Sequence, residues 1–252
     1  MTSKEISSCI GSTFEIFKRN ILKILILAVL IYVPISIMQL MLPDLDMSGV
    51  TQANLSSYYE KLSILLLSAV LLSLISGLFD MAVIYFVREN DRNGKVPLSE
   101  AFDFSIKRFP KYLATRIIGY IIGFVLAMLC FFPGIIALFL FSLSPYIVVL
   151  REAWGRRALK ESSLLVRKNV LLIFVVLLIQ YAAAYLFSLG MSLAMVVLEN
   201  LGLNSIAVNI IWVASDVIIY TVVSILTIFI TLITQKMISS SPELDKDPRP
   251  EQ

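Results

Sequence analysis

The sequence predicts an all-α, polytopic membrane protein with six transmembrane helices and three amphipathic interfacial helices, arranged as three helix-hairpin repeats. Three observations predict it. Apolar residues make up 58% of the 252-residue chain, above the ~45–50% of ordinary soluble domains, and mean hydropathy is +0.88. These residues are gathered into six runs, each about long enough to cross a hydrocarbon core roughly 30 Å thick. If the chain crosses at every run, all of its 21 Lys and Arg except Lys61 fall on or near one side, which the positive-inside rule makes cytoplasmic.

Residues 3–19 place Ile6, Ile10, Phe14 and Phe17 at helical spacing, and a polar opposite face completes the first interfacial helix. The first span follows over 20–42, with Pro34 as an expected kink. This long apolar run is read as an uncleaved helix, since no short apolar core with a small-residue cleavage site precedes it. The insert Pro43–Lys61 is acidic and faces away from the cytoplasm; its Asn54-Leu55-Ser56 triplet matches a glycosylation acceptor too short to be informative. The second span covers 62–87, and Asn93-Gly94 breaks it. Pro97 opens the second amphipathic helix, 97–109, carrying Leu98, Phe102, Ile106 and Phe109 on one face.

The third span is read over 112–132 and the fourth over 134–150, with Pro133-Gly134 as the turn between them and Pro145 inside the fourth. The third amphipathic helix, 152–168, sets Trp154, Ala158 and Leu165 against Arg156, Lys160, Ser163 and Arg167. The fifth span is 170–198 and the sixth 210–236; the turns from Ser205 are expected in the outer interface, because the whole run is too long for an upright crossing. Residues 238–252 are charged and proline-rich with little to bury, and are expected to be disordered. Residues 1–237 thus form one transmembrane domain. Each amphipathic segment ends in a basic pair, Lys18/Arg19, Lys107/Arg108 or Arg167/Lys168, and feeds an apolar hairpin. Anionic inner-leaflet lipids attract such residues by ~1 kcal/mol each.

The net charge of +3 flanks apolar runs and does not form a basic domain, so nucleic acid is not an expected partner. Two cysteines and no histidine argue against metal or redox chemistry, and no cofactor is expected. The chain has no G-x-S-x-G elbow, phosphate-binding glycine loop or H-E-x-x-H, and it lacks the commonest general base. It is therefore expected not to be an enzyme.

Asp80 and Asp216 are the acidic residues inside predicted spans. An ionisable group at that depth costs ~2.5–3.5 kcal/mol on insertion scales and is a functional candidate by default. Ser73, Ser76, Gly77 and Asp80 share one helix face, a candidate polar track. The competing reading has Asp80 bonding a neighbouring helix near Arg88 or Arg116, and Asp216 at the outer interface. Thr221, Ser224, Thr227, Thr231 and Thr234 stripe the sixth helix, and Tyr181, Tyr185, Ser188 and Ser192 the fifth. Such stripes line pathways or, more often, join helices. Gly119, Gly123 and Ala127 form a small-residue face suited to close packing, within the chain or between copies.

The segment Phe132, Pro133, Gly134, Ile135, Ile136, then Ser144, Pro145, Val148, Val149, Leu150, Gly155, and Ala158, Leu159, Lys160, Glu161, Ser162, Ser163, Leu165 resembles the YciC-type family of bacterial inner-membrane proteins. It is similar also to the membrane domain attached to some glycerophosphodiester phosphodiesterases. The detailed likeness covers about forty residues; length, span number and the first outer loop fit along the chain. The resemblance implies an integral inner-membrane protein of unestablished activity. The phosphodiesterases' catalytic work belongs to a histidine-bearing soluble domain that has no counterpart here. An acid often found directly after V-V-L is displaced, Arg151 preceding Glu152.

The expected function is non-enzymatic: membrane organisation, lipid interaction or partner binding, with the bilayer, anionic inner-leaflet lipids and a protein partner or second copy as partners. The alternative is a transporter or lipid-handling protein with a polar path near Asp80. The expected location is the bacterial inner membrane, with both termini cytoplasmic. Single cysteines introduced near Ala158 and near Asp44 should then react with an impermeant thiol reagent from opposite sides of the membrane; labelling of both from one side would overturn the topology.

Overall fold

Backbone amides in hydrocarbon have no water to bond, so an apolar run that enters a membrane satisfies them within its own helix. In a computed structural model, which describes residues 3–42, 55–93, 96–201 and 204–241, the apolar runs are helical and no strand occurs among the described residues. The elements are α1 (Ser3–Leu40), α2 (Leu55–Asn93), α3 (Leu98–Leu129), α4 (Phe131–Leu140), α5 (Ser144–Leu150), α6 (Arg156–Lys168), α7 (Val170–Asn200) and α8 (Ser205–Ser239). Six segments are long and apolar enough to cross a membrane: α1, α2, α3, the α4–α5 pair, α7 and α8. The chain has the build of a multi-pass membrane protein.

Several boundaries differ from expectation. Residues 3–19 and 97–109 are not separate helices; they are the first turns of α1 and α3, which run on through Pro34 and Pro110. The third amphipathic segment is a separate helix, but it starts at Arg156. The fourth span is two short helices with a turn at 141–143 and Pro145 at the start of the second. Pro133-Gly134 is not the turn before it. The chain reverses at Cys130, whose backbone is extended, and Pro133 lies in the first turn of α4, where a missing N–H leaves no bond unmade. α8 extends to Ser239, past the expected start of the tail; the rest of the tail and of the insert at 43–54 lie outside the described residues.

The apolar faces of these first turns are divided between lipid and core. In the first turns of α1, Cys9, Thr13, Ile16 and Asn20 are buried, Ile10 and Phe14 are exposed, and Phe17 packs partly against the core. On α3 the buried residues are Ala101, Ser105, Tyr112, Thr115, Gly119 and Gly123, while Ile106 is exposed. Small and polar residues let helix backbones approach, and large apolar ones lose nothing by facing lipid tails. The α8 stripe from Thr221 to Thr234 is buried as well. Thr221, Ser224, Thr231 and Thr234 bond carbonyls of α8 itself, so they permit close packing without interhelical hydrogen bonds.

α2 packs against α1, α3, α5 and α8, and α1 runs along α8. From Met81 to Val87 every residue of α2 is buried, whereas Leu66, Leu67, Val70 and Leu71 in its first half are exposed. A helix apolar and buried on all sides is the centre of a bundle. The core therefore lies toward the end of α2 that carries Arg88.

α3 and α4 form the tightest hairpin. A Cβ on Gly134 would stand 2.4 Å from Ala127 Cβ and 2.6 Å from its Cα, and one on Gly123 would stand 2.6 Å from Leu138 Cδ2. The small-residue face of α3 thus serves this chain's own packing. Gly134→Ala should destabilise the detergent-solubilised protein by about 1–3 kcal/mol, as overpacking against a rigid neighbour does. Gly11→Ala, where nothing lies within 4 Å, should hold or slightly raise the melting midpoint, since alanine favours a helix interior by roughly 0.5–1 kcal/mol. Equal midpoints for the two variants would refute this account of the hairpin.

Candidate functional site

Breaking a helix inside a membrane frees backbone groups that only protein can satisfy. At the turn between α4 and α5, Ser162 Oγ on α6 donates to the Leu140 carbonyl at 2.7 Å. Beside it, the Gly155 N–H donates to Thr115 Oγ1 at 2.7 Å, and Gly155 takes a positive φ of 60°, a conformation that glycine adopts without strain. Ala158, Leu159, Ser162 and Leu165 are all buried, so this part of the resemblance-bearing motif seats α6 against the broken span.

The break opens a cavity of about 270 Å³. Its polar lining comes from four helices and the turn: Asp80 (α2), Thr115, Arg116 and Tyr120 (α3), Ser142 (turn), Ser144 and Tyr146 (α5), Gln180 and Tyr181 (α7). Ser144, Tyr146 and Thr115 are buried. Tyr120, Leu138 and Tyr181 also line it and are 38%, 45% and 70% exposed; they mark its mouth, which opens sideways onto the apolar flank.

Asp80 and Arg116 both face this space but form no ion pair within 4 Å. Arg116 Nε and Ser142 Oγ are buried without a hydrogen-bond partner. The guanidinium lies 5.1 Å from the Tyr120 ring centre and 5.9 Å from that of Tyr112, distances at which aromatic faces attract a cation. Tyr112 also packs where α2 and α3 cross, because Gly77 leaves room for its ring: a Cβ there would stand 2.3 Å from the ring edge.

The two charges share a level for a reason visible in the numbering. Arg88 Nη2 and Arg108 both bind the Glu152 carboxylate, the former at 3.0 Å. Arg88 Nη1 also donates to the Val149 carbonyl at 2.8 Å. This clamp ties α2 and α3 to the end of α5. Asp80 stands eight residues before Arg88 on one arm of the hairpin and Arg116 eight after Arg108 on the other. Both therefore lie about 12 Å along their helices from the clamp, at 1.5 Å per residue.

The sequence-based candidates distribute as follows. Asp80 lines the cavity, whereas Ser73 and Ser76 do not; their hydroxyls bond the Val70 and Ser73 carbonyls of their own helix, so the expected polar track does not assemble. Asp216 accepts a 2.8 Å hydrogen bond from Ser36 Oγ and lies apart from the cavity lining. Lys18, Arg19, Lys107, Arg167 and Lys168 are exposed, while Arg108 is engaged by Glu152. Ser142 and Gln180 carry no sequence signal of a site, whereas Arg116, a candidate partner for Asp80, shares its cavity without pairing with it. The equal eight-residue offsets from Arg88 and Arg108 are the signal that puts the two at one level.

No family model, curated protein or solved structure matches the chain. The site is read from its own geometry.

At the clamp, part burial pushes the Glu152 carboxyl up, but the hydrogen bond from Arg88 and the charge of Arg108 outweigh it and hold the group below its ordinary range. A depressed folded-state value means that the stabilisation is in place above the unfolded carboxylate's value of about 4.3 and disappears as pH falls through the folded value. Glu152→Gln should lower the melting midpoint at neutral pH, and the gap from wild type should close on acidification below about pH 4.3. A gap that does not change with pH would contradict the clamp.

Proposed function

We propose that this chain is a six-span bacterial inner-membrane protein that takes the polar end of an amphiphile into the cavity around Asp80 and Arg116. It does so as a binding or lipid-handling protein, without a catalytic step. The observation that carries the reading is the cavity itself: two opposite, unpaired charges in a membrane-spanning region, behind a mouth that faces the lipid flank. An ionised group in such a layer is costly unless it meets a partner or water. With the cation-rich end cytoplasmic, as the positive-inside rule has it, both termini are inside and the cavity belongs to the cytoplasmic half of the bilayer. A volume of about 270 Å³ is just under the ~300–1,000 Å³ of drug-sized sites, which suits a headgroup whose tails remain outside.

The chain reads as three hairpins, α1–α2, α3 with α4–α5, and α7–α8, each entered from the cytoplasmic side. The resemblance to the YciC-type family fits this reading at the level of an integral inner-membrane protein. A second reading, membrane organisation through anionic inner-leaflet lipids, draws on the exposure of Lys18, Lys107 and Arg167 at that same end.

In vesicles containing a phospholipid with a photoreactive group at the top of its acyl chain, adducts should concentrate on the flank bearing Tyr120, Leu138 and Tyr181. Tyr181→Ala, which removes a mouth side chain that is 70% exposed, should change their yield severalfold. Adducts spread evenly around the perimeter, unchanged by Tyr181→Ala, would sink the cavity reading. Loss of adducts on neutralising Lys18, Lys107 and Arg167 instead would favour the second.

A further inference from the structure

We infer that the cavity is built for a zwitterionic phospholipid headgroup carrying a primary amine, with the phosphate on Arg116 and the ammonium on Asp80; this rests on the amphiphile reading above. The first ground is charge balance. A purely anionic headgroup would satisfy Arg116 and leave the Asp80 carboxylate facing a like charge. A purely cationic one would do the reverse to Arg116. A ligand with both signs pairs with each group, and in a low-dielectric layer an unpaired ion is the costly alternative.

The second ground is the donor set. A guanidinium is a planar fork suited to phosphate oxygens, and here its Nε and the neighbouring Ser142 Oγ are buried and unpartnered. Tyr112 and Tyr120 flank the guanidinium. Asp80 offers only acceptors in its ionised form, which fits an ammonium with N–H groups better than one fully methylated.

The third ground is order along the cavity, and it selects the lipid over a free zwitterion. Arg116 stands 5.1 Å from the ring of the mouth residue Tyr120, and its neighbour Ile117 on α3 is exposed. Around Asp80 on α2, by contrast, Phe79, Met81 and Ile84 are 2%, 0% and 0% exposed. The cation thus stands nearer the opening and the carboxylate deeper. A phospholipid entering headfirst presents its charges in that sequence, with phosphate next to the tails and amine at the tip. A free amine-phosphate solute has no tails to hold at the apolar mouth.

The test uses the full chain purified in detergent, with retained lipid read by native mass spectrometry after titration with phosphatidylethanolamine, phosphatidylcholine or phosphatidylglycerol. Phosphatidylethanolamine should bind about tenfold tighter than either of the others, the factor expected from one hydrogen bond to a charged group. Asp80→Asn should bring the three lipids level while all still bind, and Arg116→Gln should weaken all three. Asp80→Glu, which keeps the charge, should retain the preference, and serves if the asparagine variant does not fold. If wild type binds the three lipids equally while Arg116→Gln weakens all of them, the zwitterion inference fails and the amphiphile reading survives. Lipid binding indifferent to both residues overturns the two together. Displacement of phosphatidylethanolamine by equimolar free phosphoethanolamine would overturn the lipid as source.

Discussion

The constraint on which the rest of the structure depends is that backbone released inside a membrane must be bonded by protein. The fourth span is broken at 141–143, and the α6 hydroxyl of Ser162 takes up the Leu140 carbonyl. That requirement accounts for a short helix, buried on one face, placed directly after the broken span. It also accounts for Gly155, whose N–H meets Thr115 on α3 and so holds α6 against the hairpin. The break is tolerated because it lines a cavity, where irregular backbone is permitted.

Charge placement follows from the same economy of partners. Arg88 and Arg108 do not hang free in the interface; they converge on the one carboxylate that the turn after α5 supplies. The positive φ of Glu152, 58°, accompanies a side chain that reaches both arginines. With the two helices pinned at that point, the residues two turns deeper, Asp80 and Arg116, face one another across the cavity without meeting.

Much of this was legible in the chain. Run length and the clustering of cations gave six spans, because the bilayer sets both. The apolar spacing at the start of α1 and α3 marks a lipid-facing side only in part: Ile10, Phe14 and Ile106 face out, Phe17, Leu98, Phe102 and Phe109 pack partly against the core, and the small residues Cys9, Thr13, Ala101 and Ser105 turn inward. Pro133-Gly134 was read as a turn by its composition, but a first helical turn accepts proline equally well, and Gly134 is fixed by the approach of Ala127. Asp80 stood out as an acid in a span. Arg116 is a candidate neighbour of Asp80 from its place at the start of the third span, but spacing along one helix does not say that the two stand apart across a cavity.

The joint at Cys130 has a mechanical corollary. One extended residue connects α3 to α4, and Ala127 and Gly134 touch directly below it, so those two helices behave as a fixed jamb. α7, by contrast, packs chiefly on α8 and presents Tyr181, Tyr185, Leu186 and Leu193 outward. Against that jamb α7 is the more loosely hung leaf of the doorway, held to it by the edge contact of Phe174 with Phe139 of α4.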